Sequence, residues 1–453
     1  MKTPIYDFVQ NYKEQDNSRL HMPGHKGHVF LGCEAMDITE IHGADSLYEA
    51  SGIIAESEEI ATSLFETGHT YYSTEGSSQC IKAMLYLTLQ QSKAQMDGTR
   101  PLLLTARNVH KSFVHACALL DLDVTWMYPD EDASHSICSC VISPAQLERA
   151  ILAMPQKAIA IYVTSPDYLG IQMDIAGLSC VCHKFNLPLL VDNAHGAYLK
   201  FLPVSQHPMD LGAMMCCDSG HKTLPVLTGG AYLHISKEAP CAYSDNARSA
   251  LSLFGSTSPS YLILQSLDLC NRYLADHYSR RLSNCIERIA LLREILTTNG
   301  CILAESEPLK VVIDSYAMGL LGFEISNLLR ENQIECEYAD TDYVVLMFTP
   351  ENSENDYIRV TDICRTLSQQ DPDNSQLSIK SLQVESIMSI RQAVFAKHEQ
   401  IPVELAEGRI CSAPTVSCPP AIPISISGEM ITKQTIETFR RYGISFVDVV
   451  STE

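Results

Sequence analysis

Three consecutive segments decide the fold: Ala158-Ile-Ala-Ile-Tyr-Val163, Asp174-Ile-Ala-Gly-Leu-Ser-Cys-Val-Cys-His-Lys-Phe185 and Pro188-Leu-Leu-Val-Asp192. The first and third are short apolar runs without polar alternation, the pattern of strands buried on both faces. The middle one is a helix candidate that ends before Asn186 and Pro188. Strand, helix, strand in that order is the unit of a parallel sheet, because parallel neighbours need a crossover connection.

Similar runs recur on either side: Pro101-Leu-Leu-Leu-Thr105, Val124-Thr-Trp-Met-Tyr128, Leu211-Gly-Ala-Met-Met-Cys216 and Gly230-Ala-Tyr-Leu-His-Ile235. Ser143-Pro-Ala-Gln146 is a capping box with proline at the first helical position, opening a helix to about residue 153. Two long helical stretches follow at 261–278 and 279–298. A smaller mixed part comes next, with strands near 309–314 and 343–348 and a helix near 322–332. The expected architecture is α/β: a mainly parallel sheet with helices on both faces, plus a smaller C-terminal α+β part. The expected parts are an irregular, polar N-terminal arm over 1–55, a large domain over 56–280 and a small domain over 281–453.

The composition fits such a fold. The chain has 453 residues, 46% hydrophobic and 19% charged, so a large core is expected and wholesale disorder is not. The net charge of −22 makes nucleic acid and anionic membrane poor partners, whereas an acidic surface suits cationic small molecules. No apolar run is long enough to span a bilayer, and the first twenty residues lack the apolar core of a signal peptide. The 17 cysteines include no C-x-x-C pair, so no zinc-knuckle spacing is visible and no metal is expected. Cys180, Cys182 and His183 are imaginable as ligands, but ordinary helix packing explains them too. Reduced thiols in the cytoplasm are the expectation.

Four segments carry chemistry. In Ser219-Gly-His-Lys-Thr-Leu-Pro225, Lys222 follows a strand, and its nearest acidic neighbour is Asp218. A solvated surface lysine and a desolvated, nucleophilic amine both fit. Asp192 ends a strand in Val191-Asp-Asn-Ala-His-Gly196, where functional groups of parallel sheets gather, and where a helix-capping aspartate is equally at home. Tyr72-Ser-Thr-Glu-Gly-Ser-Ser78 precedes the apolar helical stretch 80–89, so Ser77 and Ser78 suit either an anion site or a plain N-cap. His110, in Arg107-Asn-Val-His-Lys-Ser112, is placed to stack on a flat ring or to serve structurally. Together they are the parts of a pyridoxal-phosphate site.

The chain resembles the pyridoxal-phosphate-dependent ornithine/lysine/arginine decarboxylase family, which has the aspartate-aminotransferase type fold (fold type I). The similar segments include Met22-Pro-Gly-His-Lys-Gly27, Gly43-Ala-Asp-Ser-Leu47, Ser219-Gly-His-Lys222, Ser256-Thr-Ser-Pro-Ser-Tyr261, Pro419-Pro-Ala-Ile-Pro423 and Gly428-Glu429. It is most similar to shorter members without an N-terminal receiver-like domain. The resemblance implies that Lys222 holds the cofactor aldehyde, Asp192 pairs with the pyridine nitrogen, His110 stacks on the ring and His195 lies near its phenolic oxygen. Ser77, Ser78, Ser219 and His221 would bind the phosphate. Thr257 would reach the phosphate of a neighbouring subunit, giving a homodimer or higher oligomer with shared sites.

The implied reaction is loss of CO2 from a basic L-amino acid, with arginine favoured over lysine and ornithine, and with an amine as product, a polyamine-related chemistry. Lys222 or His221 would return the proton. Glu337 and Asp340 are candidates for the distal cation of the substrate, although a solvated loop explains them as well. Three departures stand out: Thr228-Gly-Gly230 lacks a glutamine, Ser417-Cys-Pro-Pro-Ala421 lacks the usual flanking residues, and Glu75 places a charge in the phosphate loop. Two other readings remain open: an aminotransferase or lyase on the same cofactor, and a cofactor-binding but inactive paralogue.

Overall fold

Hydrophobic runs too short for helices become strands, and the computed structural model places them close to where the sequence does. It describes residues 1–15, 17–92, 99–129, 136–367, 384–416 and 420–452. The chain divides into two units: Met1–Lys93, Ile159–Ile161 and Ile175–Arg281 form the first, and Ala94–Ala158, Tyr162–Asp174 and Leu282–Glu453 the second.

Strands β1 (His69–Ser73), β5 (Leu189–Asp192), β6 (Met215–Asp218) and β7 (Ala231–Ile235) belong to the first unit; β2 (Leu102–Ala106) and β3 (Asp123–Met127) belong to the second. Strand β4 (Ala160–Thr164) contributes residues to both. In the first unit β5 and β6 run parallel, with Val191 opposite Cys216 and Asp192 opposite Cys217. Their carboxyl ends therefore finish side by side. Strand β7 pairs antiparallel with both β6 and β1. The helix Ser77–Gln91 packs on this sheet through Cys80, Ile81, Met84 and Leu87, all 0–1% exposed. Full burial of such side chains stabilises by roughly 1.5–3 kcal/mol each.

In the second unit β2 and β3 are parallel. Strands β8 (Leu303–Ala304), β9 (Lys310–Asp314), β10 (Tyr338–Ala339) and β11 (Tyr343–Met347) form an antiparallel sheet in the order β10-β11-β9-β8. The helix Gly322–Glu331 packs against β11. The protein is thus α/β with a mixed α+β C-terminal part.

Three expectations need correction. The N-terminal arm is not irregular: Pro4–Glu14 is a helix whose Ile5 and Val9 are fully buried. Strand β1 was not anticipated, because His-Thr-Tyr-Tyr-Ser reads as polar. Its hydroxyls are satisfied inside, Tyr72 Oη lying 2.8 Å from both Ser57 Oγ and Asn271 Nδ2. Finally, β6 begins at Met215 and not at Leu211. Gly212 has φ +95°, and a Cβ there would lie 2.3 Å from Ser179 Oγ, so this is a turn that only glycine fills.

Candidate active site

The parallel pairing of β5 and β6 sets the site, because each strand ends in a functional segment. Asp192 is the last residue of β5 and is 2% exposed. Its Oδ1 accepts the Ala194 N–H at 3.2 Å and the Cys217 thiol at 3.7 Å. Burial pushes the Cys217 thiol far up, so it stays protonated and can donate.

Strand β6 passes directly into Ser219 and the one-turn helix Gly220–Thr223. That turn presents Lys222, whose Nζ lies 2.9 Å from His195 Nε2. His195 is itself buried, three residues beyond Asp192. His221 turns the other way: its Nδ1 donates to the Gly230 carbonyl at 3.0 Å, which makes Nε2 its lone-pair nitrogen. Ser219 Oγ donates to Ser77 Oγ at 2.9 Å, joining the lysine turn to the start of the helix Ser77–Gln91. The N–H groups at that helix start add positive potential beside the two hydroxyls. The lysine loop closes on the same place, since Gly229 accepts the Gly76 N–H at 2.7 Å. A Cβ on Gly229 would stand 2.8 Å from the Thr74 carbonyl oxygen, so the missing glutamine leaves room for a close backbone approach.

One departure and the two candidates for the distal cation resolve in physical terms. The Glu75 carboxylate accepts the Ser256 N–H at 2.8 Å, so its charge is spent on the loop that carries exposed Thr257. Asp340 is neither solvated nor available to a ligand. It is 2% exposed and accepts from Tyr338 Oη at 2.6 Å and from the Asp342 and Tyr343 N–H groups at 2.8 Å. Glu337 is partly buried and accepts from Tyr168 Oη at 2.8 Å. Residues 417–419 lie outside the described residues. His110 belongs to the second unit, where its Nδ1 accepts the Ser112 N–H at 3.2 Å and caps the helix Lys111–Leu120. In the same unit Arg107 donates to the Pro423 and Ile424 carbonyls and pairs with Glu429 at 3.3 Å, tying the C-terminal segment to the end of β2. Cys182 is buried and Cys180 exposed; positions two apart on one helix point to different faces.

Some residues were missed. Asp218 appeared in the sequence only as the nearest acidic neighbour of Lys222, yet its partners are Asn193, His207 and His234. No spacing signal links positions so far apart. Within the first unit, then, a buried carboxylate, an amine touching an imidazole, and serine hydroxyls at a helix start are gathered at neighbouring strand ends. The donor set fits a phosphorylated pyridine aldehyde: hydroxyls and N–H groups for phosphate, a carboxylate for a ring N–H, an amine for the aldehyde.

Residues 3–316 match the family model described as Orn/Lys/Arg decarboxylase, major domain. An arginine decarboxylase of Bacillus subtilis (strain 168) is 30% identical over 96% of this chain and 92% of its own length. An arginine decarboxylase of Halalkalibacterium halodurans is 28% identical over 97% of this chain and 93% of its own. Among solved structures, the lysine decarboxylase LdcF of Francisella novicida superposes with a TM-score of 0.81 over 99% of this chain and 81% of its own, at 15% identity. That last likeness speaks to fold. Among the described residues, no helix is long and apolar enough to cross a membrane.

Proposed function

The chain belongs to the Orn/Lys/Arg decarboxylase family and is a decarboxylase of a basic amino acid, and from that premise we propose that it converts L-arginine to the corresponding amine and CO2 with pyridoxal 5'-phosphate held on Lys222. The observation that carries the reading is the contact of Lys222 Nζ with His195 Nε2 at 2.9 Å, on the strand end next to that of Asp192. Arginine is preferred to lysine and ornithine because relatives similar over nearly the whole chain are named arginine decarboxylases.

When bound, pyridoxal phosphate supplies an aldehyde that takes the substrate amine and a ring that accepts the electron pair left by departing CO2. The protein's own groups do the rest. His195 Nε2 takes a proton from Lys222 Nζ, so that the amine is nucleophilic. Asp192 keeps a proton on the ring nitrogen through a charge-assisted hydrogen bond, and its burial strengthens that bond. Ser77, Ser78 and Ser219, with the helix start beneath them, hold the phosphate dianion, and His221 stands beside them. Lys222 Nζ, its proton restored from His195 Nε2, would return a proton to the reacting carbon; His221, the second candidate, would do so only when its ring carries a proton on both nitrogens.

The protein is proposed to work as a homodimer or higher oligomer in the cytoplasm, with Thr257 of one copy serving the phosphate of the next. Leu20, Met22, Val29, Phe30 and Leu31 support this, being 61–94% exposed and clustered in sequence, a surface that asks for a cover. The cationic product is the chemistry of a polyamine precursor.

The test is a product screen of purified protein with arginine, lysine and ornithine, repeated with Lys222→Ala. We expect agmatine as the main product, a yellow protein, and loss of both colour and turnover in the variant. A keto acid in place of CO2 and amine would support an aminotransferase. A yellow wild-type protein that turns over none of the three would support an inactive paralogue.

A further inference from the structure

Asp218 stands at the junction of the two strand ends that carry Asp192 and Lys222. Its carboxylate is fully buried and accepts from three side chains. Asn193 Nδ2 reaches Oδ1 at 2.6 Å, while His207 Nε2 and His234 Nε2 reach Oδ2 at 3.0 and 3.1 Å. The far nitrogens are engaged as well. His207 Nδ1 accepts the Met209 N–H at 3.4 Å, which assigns the ring proton to Nε2. His234 Nδ1 lies 2.9 Å from Thr70 Oγ1, which in turn lies 2.7 Å from Thr67 Oγ1. The Phe65 ring roofs the pair, its centroid 4.6 Å from that of His234 and 5.7 Å from that of His207.

Burial alone would raise the Asp218 pKa, but the two imidazoles more than offset it and hold the carboxyl well below its usual range. Cys216 Sγ also lies within 4.8 Å of the donor atoms of His207 and Asp218, an arrangement that would interest a metal ion. The imidazole Nε2 atoms are already spent on Asp218, however, and burial pushes the Cys216 thiol far up, so it stays protonated. The cluster is therefore a hydrogen-bond network. It spans β1 through Thr70, β7 through His234, the end of β6 through Asp218 and the end of β5 through Asn193.

We propose that Asp218 is a positioning residue for the decarboxylation: by gripping Asn193, His207 and His234 at once, it fixes Asp192 relative to the Ser219–Lys222 turn. Asn193 directly follows Asp192, and Ser219 directly follows Asp218, so one carboxylate sets where the ring-nitrogen partner, a phosphate hydroxyl and the anchoring amine stand. The inference rests on the reading of Lys222 and Asp192 above. It explains why a costly buried charge sits one residue before the lysine turn without pairing with the lysine.

The test compares Asp218→Asn, His234→Asn and Val9→Ala. The last opens a cavity in the N-terminal helix and serves as a stability control. Pyridoxal phosphate is titrated into each apoprotein without substrate, and the pH profile of the visible band, kcat and KM are recorded beside Tm. Asp218→Asn should weaken cofactor binding at least tenfold and displace the pH midpoint of the band. His234→Asn should move both in the same direction by less, and Val9→Ala should lower Tm while leaving both in place. Unchanged binding and midpoint in the two network variants would overturn the proposal. So would equal shifts in Val9→Ala, which would reduce the effect to stability. If Asp218→Asn does not fold, His234→Asn decides alone. A wild-type protein that binds no pyridoxal phosphate removes the underlying reading, and the inference with it.

Discussion

Asp192 is the side chain on which a single atom matters most. Replacing it by asparagine keeps the shape and removes the charge; with Asp192 in its proposed role, the ring nitrogen would lose a charge-assisted hydrogen bond of about 1.5–3 kcal/mol. If that loss falls on the transition state, kcat for Asp192→Asn drops by roughly tenfold to 150-fold at saturating cofactor. Steady-state kinetics read this directly, and an unchanged kcat would remove Asp192 from the chemistry. Lys222 and Asp192 could be singled out as candidates because one follows a buried strand and the other ends one, and in a parallel sheet the strand ends are where function gathers. His207 and His234 were not legible. Their meaning lies in a carboxylate 11 and 16 residues away in sequence, reached by His234 through the pairing of β6 with β7 and by His207 from the segment that precedes β6.

Helices and strands show the same contrast between local and distant causes. The capping box at Ser143 formed as read, its hydroxyl accepting from Gln146 and its N–H returned by the glutamine side chain, because every partner lies within four residues. The motif Gly43-Ala-Asp-Ser-Leu47 had no such local explanation. In the structure Asp45 accepts N–H groups from Ser46, Ser51, Gly52, Ile54 and Ala55, and so caps the helix Ile53–Phe65 from a distance. Asp45→Ala should cost about 2 kcal/mol, the upper range for lost caps, as a lower midpoint in urea unfolding. A midpoint unchanged within error would contradict the assignment. The helix Pro4–Glu14 escaped notice because it buries only Pro4, Ile5 and Val9 fully, and its Tyr6 N–H finds its partner, Asp268, 262 residues away. Strand β6 was misplaced by four residues because Gly212 sits inside an apolar run and bends it.

For the whole protein, the −22 charge hides a set of carboxyls that favour their protonated form. Burial raises Glu58 to about 7, and Asp167, Asp268 and Asp342 to about 6. A carboxyl whose folded pKa lies above its unfolded value contributes stability below pH 4, and this is lost as pH rises through the folded pKa. His234 works the other way: burial lowers it, and its contribution is present above about pH 6.5 and fades as pH falls. Burial raises Asp123, Asp340 and Glu429 as well, so with these carboxyls set against His234, stability should decline from pH 5 to pH 7.5. Among the described residues the hydrogen-bond partners of Asp268 are neutral, Ser57 Oγ at 2.6 Å, the Tyr6 N–H at 2.9 Å and the Ile5 backbone, so it isolates the effect. In Asp268→Asn the Tm difference between pH 5 and pH 7.5 should shrink, whatever the change in Tm itself. An undiminished difference would assign the pH dependence elsewhere. This behaviour could not be read from composition, which counts carboxyls but not the water they lose.

In the proposed reaction one amine, Lys222 Nζ, anchors the cofactor. Borohydride reduction of the pyridoxal-phosphate-loaded protein, followed by peptide mass mapping, tests it most directly. A reduced pyridoxyl label is expected on the peptide carrying Lys222, with loss of that label in Lys222→Ala. A label fixed on another lysine, or none on a protein that binds the cofactor, would contradict it.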